Sequence, residues 1–295
     1  MTGGTRAPRA TRATWAGSRG RRATGRALQY LALAGYLVFL GFPLVWLAST
    51  ALKTSREMAR LDPTWIPLDP TLANFAAAFG EQDLVGAAQR SLVVALASSV
   101  LVVLIALPAA YALARFRSRL NRVALGWVLV SQVFPFILII IPVFMILRTM
   151  GLVNTLAGLV VVHVTFCLPF VLWMLQGYVR GVPPVLEEAA AVDGAGRWRT
   201  VASVVAPLLA PGVVAALMFG FISSWNEFLF ALILLKDPQV QTLPLALVRF
   251  TGPEGVVRLG PLAAASLLAT IPSLVFFTFI QRRLKGGMVS GAVKG

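Results

Sequence analysis

The chain has 295 residues, 58% of them hydrophobic and only 13% charged, where an ordinary soluble domain carries about 25% charged side chains. These proportions exclude a water-soluble globule, and the same apolar bias excludes disorder over most of the chain, since chains stay unfolded when they have too little apolar surface to bury. The formal net charge of +15, from 26 basic and 11 acidic residues, would suit nucleic acid if it lined a folded face, but the basic residues sit in a leading arm and short connectors, which sets that partner aside.

Residues 1–27 hold seven arginines, no acid and no apolar periodicity; they are expected to form a disordered cytoplasmic arm that anchors topology and meets anionic lipid. A cleaved signal peptide is the competing reading. The apolar run that follows, 28–52, is longer than the roughly 7–15 residues of a signal core.

Runs free of charge and long enough to cross a membrane then recur at 28–52, 91–114, 123–147, 149–179, 200–226 (continuing past Glu227 to residue 235) and 259–281. A helix of about 20 residues crosses the hydrocarbon core, so the expectation is an all-α membrane protein with six spans. Prolines 43, 108, 135, 142, 169, 211 and 272 lie within the runs and are tolerated where neighbouring helices satisfy the freed backbone groups. Lysine and arginine gather in the arm, in the connectors after the second and fourth runs, and at the end, 18 of 26 in all. Basic loops stay inside, which predicts a plasma-membrane protein with both termini cytoplasmic.

The single histidine, His163, and single cysteine, Cys167, stand four residues apart on one helix face. Two ligands on one helix do not complete a metal site, so packing is the expected role. No phosphate-cradling G-x-x-x-x-G-K-[ST] sequence occurs. The chain is therefore expected to bind no cofactor, and any ATP hydrolysis falls to a partner.

The longest basic connector, about residues 182–207, reads as a short helix with a start and a stop. Pro184 suits a first helical position, and Glu187 and Glu188 suit the positive end of the helix dipole. Alanines propagate the helix, and Gly194 can take the left-handed conformation that ends it. A second helix starts near Arg197 and runs into the fifth span through Pro207. Ala189 and Ala190 leave a closely approachable surface, with Glu188 and Asp193 supplying charge, which describes a docking knob.

On the fifth run, Gly212, Ala216, Gly220 and Ser224 repeat at four-residue spacing, a face that lets helices approach closely. Packing within the chain and a seam with a second subunit are equally compatible with it. Glu227 is the one carboxylate in the apolar runs, and such residues are functional candidates; a structural or gating role is favoured over substrate contact.

The connector resembles the signature loop of the permease subunits of binding-protein-dependent ABC importers, which reads E-A-A, three residues, G, then a distant proline. Glu188, Ala189, Ala190, Asp193, Gly194, Ala195 and Pro207 stand at that spacing, and Ala206 departs from the leucine usual before the proline. Pro70-Thr71-Leu72-Ala73-Asn74-Phe75, Gly151-Leu152-Val153-Asn154-Thr155, Leu168-Pro169-Phe170, Trp225-Asn226-Glu227-Phe228-Leu229-Phe230 and the last five residues resemble the maltose-type carbohydrate branch. Arg90 stands where that family commonly has asparagine. The resemblance covers residues 28–295.

It implies a six-helix permease domain with a coupling helix between spans four and five, docked in a cleft of an ATPase through the seven loop residues named above. Asn226 and Glu227 become candidates for the pathway or its gate. The implied partners are a second permease subunit, two ATP-binding subunits and an extracytoplasmic sugar-binding protein, and the implied activity is ATP-driven import of a sugar by a subunit that is not an enzyme. The alternatives are an importer of another solute, such as glycerol phosphate or a polyamine, and a secondary transporter. The latter folds typically show internal repeats and several buried charges, neither of which this sequence has.

Overall fold

The computed structural model of the protein describes residues 16–116, 118–252 and 256–289. Helix α1 (Ala16–Leu52) is followed by a connecting segment holding α2 (Ser55–Met58) and α3 (Ala73–Glu81), then by α4 (Leu84–Arg115), α5 (Arg119–Val133), α6 (Phe136–Thr149) and α7 (Leu156–Gly181). The connector forms α8 (Val185–Val192) and α9 (Arg197–Thr200), continues through a π turn at Val201–Val205 and α10 (Ala206–Leu208), and leads into α11 (Ala210–Trp225). The chain ends with α12 (Leu229–Leu234), a 3-10 turn at Pro238–Val240, α13 (Leu243–Val248) and α14 (Leu259–Val289). Among the described residues the only β pairing is an isolated bridge between Thr251 and Val257.

One expectation needs correction. The stretch 16–27 is helical instead of disordered, as the start of α1; residues 1–15 of the arm lie outside the described residues. Lengthening an existing helix needs no new nucleus, and alanine and arginine extend it readily, which outweighs the glycines here.

The apolar runs also do not map one to one onto straight helices. Four helices are long and apolar enough to span: Leu28–Leu52, Leu84–Arg115, Leu156–Gly181 and Leu259–Ile280. The other two runs are bent pairs, Val123–Val133 with Ile137–Thr149 at 106° and Arg197–Leu208 with Ala210–Trp225 at 72°, so the described helices make six spans only if each pair is one. Pro135 accounts for the first break, because it lacks an N–H and pushes the residue before it out of the helical region; Phe134 is extended at φ −72°, ψ 127°. The second lies at Leu209, just before Pro211 at the start of α11. The run 149–179 opens with a loop, since Gly151 and Asn154 have φ of 69° and 61°, and helix resumes at Leu156.

At the centre, α4 packs against α7 and α11, while α1 lies along α14. Lipid is as apolar as the side chains, so close packing holds such helices together where the hydrophobic effect cannot. Small residues make that packing possible: Ala95, Ala106, Ala110 and Ala216 are fully buried. Phe221 is buried too, stacked on Phe276 with centroids 3.8 Å apart.

Gly212, Ala216, Gly220 and Ser224 face inward in this packing. A Cβ on Gly220 would stand 3.0 Å from Cα of Ser99 on α4, and one on Gly212 would meet the Tyr178 ring on α7 at 2.5 Å. Both alternatives for this face were open in the sequence; the structure buries it against α4 and α7 of the same chain.

The segment between α1 and α4 is built on polar contacts. The buried Asn74 amide donates to the carbonyls of Ala51 and Lys53 at 2.9 and 2.8 Å, closing α3 onto the end of α1. The Glu57 carboxylate accepts from the Thr64 hydroxyl at 2.5 Å and from the Leu68 N–H. The Thr64 bond foremost holds the Glu57 carboxyl below its ordinary range.

Candidate coupling site

The connector helix α8 begins after Pro184, one position later than the sequence suggested, and carries Glu187 and Glu188 in its first turn. Its end is a Schellman motif: the Ala195 N–H donates to the Ala190 carbonyl at 2.9 Å and the Gly194 N–H to Ala191 at 3.1 Å. Gly194 sits at φ 79°, the left-handed conformation that a side chain disfavours.

No residue of α8 is buried. Glu188, Ala189, Asp193, Gly194 and Pro207 are exposed, and Ala190 and Ala195 are half-buried. Beside them stand two large apolar side chains, Val192 and Trp198, exposed by 88% and 86%. Large apolar side chains this exposed are what a docking surface would offer a partner.

Glu187 has the opposite role. One residue is about 100° of helical rotation, so it turns toward the bundle where Glu188 turns away. Its carboxylate accepts from the Tyr111 hydroxyl at 2.6 Å and from Arg115 Nε at 2.6 Å, and a second Arg115 nitrogen donates to the Val182 carbonyl at 2.9 Å. Tyr111 and Arg115 lie one turn apart on α4 and so share a face. These bonds fasten α8 to the end of a central helix. In the sequence Glu187 is marked only by its fit to the helix dipole; the four-residue spacing of Tyr111 and Arg115 at a helix end is the one available signal, and nothing in the sequence shows that the two segments meet.

At the far end of α11, Glu227 ends one helix and starts another. Its carboxylate accepts from the N–H groups of Phe230 and Ala231 at 2.7 and 3.2 Å, satisfying the first turn of α12. Its Oε2 lies 3.3 Å from His163 Nε2, and His163 Nδ1 lies 2.5 Å from the Ser224 hydroxyl. An ionised carboxylate only accepts, so Nε2 is the ring nitrogen suited to donate to it, while a serine hydroxyl can serve Nδ1 as donor or acceptor. His163, expected to do no more than pack, is thus a buried polar bridge from α7 to the α11–α12 break. Asn226 is exposed and donates back to the Ile222 carbonyl at 2.9 Å, apart from that bridge.

Glu227→Gln should keep part of the transport activity, since the amide oxygen still caps α12. Aspartate, a methylene shorter, should do no better, and alanine should lower both transport and thermal stability. Full transport and unchanged melting of the alanine variant would show that the cap does not matter.

Two further contacts hold the same end together. Asn154 Oδ1 accepts from the N–H groups of Lys236 and Asp237, both at 2.9 Å, tying the α6–α7 loop to the end of α12. Arg90 donates to the Gln241 carbonyl at 2.8 Å and pairs with Asp83 at 2.9 Å, so in this chain it fastens α4 to the segment before α13. Arg90 foremost holds the Asp83 carboxyl below its ordinary range.

A helical bundle with several membrane-length apolar helices, two bent helix pairs and one bare helix strapped to its end is the architecture of a multi-span membrane protein. Residues 102–289 match the family described as binding-protein-dependent transport system inner membrane component, and the chain belongs to this family. It is accordingly a multi-pass plasma-membrane component of a transport system.

The chain is 36% identical over 261 residues to a diacetylchitobiose uptake system permease protein of Streptomyces coelicolor, covering 88% of this chain and 94% of that one. It is also 36% identical over 276 residues to the trehalose transport system permease protein of Mycobacterium tuberculosis, covering 93% and 99%. Its fold matches a chain of a bacterial ABC transporter involved in the import of the acidic polysaccharide alginate, with a TM-score of 0.75 at 19% identity over 94% of this chain and 99% of that one.

Proposed function

We propose that the chain is a permease subunit of an ATP-driven importer, paired with a second permease subunit above two ATP-binding subunits, and that it passes a sugar released by an extracytoplasmic binding protein. The chain itself is then no enzyme: ATP is bound and hydrolysed by the partner subunits. The observation that carries the reading is α8, a bare, glycine-capped helix strapped by Glu187 to the end of a central helix, which is what a lever needs in order to receive motion from a neighbour and hand it to the bundle. Glu188, Ala189, Ala190, Asp193, Gly194, Ala195 and Pro207 form or flank its docking surface, and Glu227 holds a joint at the other end. Sugar as the substrate class is supported by the uptake of diacetylchitobiose and trehalose named for the two relatives.

The direct test is to purify the chain with its co-purifying subunits and binding protein, identify the ligand held by the binding protein, and measure its ATP-dependent uptake into proteoliposomes. Uptake of a sugar that stops when the ATP-binding subunits are omitted is the expected result; a non-sugar ligand overturns the substrate class.

The proposed orientation puts α8 and both termini in the cytoplasm. Single cysteines at position 120, beside the basic connector, and position 75, in the segment between α1 and α4, should react oppositely with an impermeant thiol reagent added to intact cells in a Cys167→Ser background. Labelling at 75 alone is expected, and labelling at 120 alone would invert the topology.

A further inference from the structure

Between the end of α4, the start of α5 and the end of α7 lies a groove of about 800 Å³. Its lining mixes apolar side chains, Leu113, Phe116 and Leu125, with the guanidinium groups of Arg115, Arg119 and Arg180. Arg115 is already engaged by Glu187. Arg119 and Arg180 are exposed, and no carboxylate among the described residues pairs with either.

The groove opens where the apolar helix Leu84–Arg115 ends and before the apolar stretch Val123–Val133 starts, a basic junction between two apolar segments that the proposed topology turns toward the inner leaflet. Apolar side chains beside two guanidinium groups without a carboxylate partner match the two halves of a phospholipid. Guanidinium forks suit phosphate oxygens in paired hydrogen bonds.

We propose that this groove binds an anionic membrane phospholipid, with Arg119 and Arg180 taking its phosphodiester headgroup and Phe116 and Leu125 lying along its acyl chain. The lipid then bridges the first turn of α5 and the last turn of α7 next to the Arg115–Glu187 strap, so the composition of the inner leaflet bears on how firmly α8 is held. A headgroup alone would leave Leu113, Phe116 and Leu125 uncovered, which is why a lipid and not a soluble anion is the occupant.

The test uses the chain with its co-purifying subunits in nanodiscs of phosphatidylcholine doped with spin-labelled phosphatidylglycerol. It compares the native sequence with the double variant Arg119→Gln/Arg180→Gln and with a control pair of equal charge loss, Arg56→Gln/Arg60→Gln. Each guanidinium is expected to contribute about fivefold to lipid affinity, so the double variant should weaken phosphatidylglycerol binding by roughly 25-fold while the control pair leaves it unchanged. Millimolar inorganic phosphate should not displace the lipid. Three results overturn the proposal: unchanged phosphatidylglycerol binding in the double variant, displacement of the lipid by inorganic phosphate, or a double variant that keeps its lipid and loses its partner subunits, which would make the groove a protein interface.

Discussion

Glu187→Ala is expected to cut sugar-stimulated ATP hydrolysis and uptake by tenfold or more while the protein still inserts in the membrane. The carboxylate takes two hydrogen bonds, one from Tyr111 and one from the charged Arg115, both at 2.6 Å. Hydrogen bonds to charged groups contribute about 1.5–3 kcal/mol each, and removing one partner leaves the other's desolvation uncompensated. The Arg115 and Glu187 side chains are 15% and 16% exposed, so some screening applies and about 2–3 kcal/mol for the strap as a whole is the reasonable scale. Since 1.4 kcal/mol is a factor of ten in an equilibrium, that loss frees α8 from the bundle in a substantial fraction of molecules. On the proposed coupling, motion of α8 should then no longer be handed to α4.

The discriminating measurement is a double-mutant cycle with Arg115→Ala. If the strap is the route, the double variant should be scarcely worse than either single one. Glu187→Gln should be intermediate, because it keeps an acceptor for Tyr111 and loses the charge. Wild-type uptake in Glu187→Ala, or strictly additive losses in the cycle, would remove the strap from the mechanism.

The sequence disclosed most where local physics decides the outcome. Charge-free length located the membrane helices, and the pattern of proline, acids, alanines and glycine drew α8 to within a residue at its start, with Gly194 left-handed as its position required. What stayed hidden depended on chain segments far apart in sequence. The Glu187 strap joins residues 72 and 76 positions apart, and the His163 bridge to Glu227 spans 64; a lone histidine on an apolar helix gives no sign of the carboxylate it will meet. The bends were hidden for another reason. Hydropathy counts apolar residues without regard to direction, so a run broken by 106° at Pro135 and a straight one look alike, and proline in a membrane helix is too often tolerated to mark a break by itself.

The stop at Gly194 is where the largest effect of a single side chain on the docking surface is expected. A Cβ added there meets no atom within 4 Å, so a substitution cannot act through a clash; the backbone at φ 79° is what resists it. Placing an ordinary L-residue in this conformation costs roughly 1–2 kcal/mol, and β-branched residues fare worst. Gly194→Val is therefore expected to open the Schellman turn, release the bonds from Ala195 and Gly194 to the last turn of α8, and swing Ala189, Val192 and Asp193 away from the surface they share with Trp198. Asparagine tolerates the left-handed region, so Gly194→Asn should retain most activity and Gly194→Ala should fall between. That order, glycine above asparagine above alanine above valine, is a signature of backbone strain that a contact by the side chain would not produce. Glu188→Ala and Asp193→Ala should give smaller, graded losses, since rim charges contribute little to affinity on their own. The readouts are the amount of ATP-binding subunit that co-purifies and the sugar-stimulated hydrolysis in proteoliposomes. Valine at position 194 with normal subunit retention and normal stimulated hydrolysis would show that α8 is not the element through which ATP drives this chain.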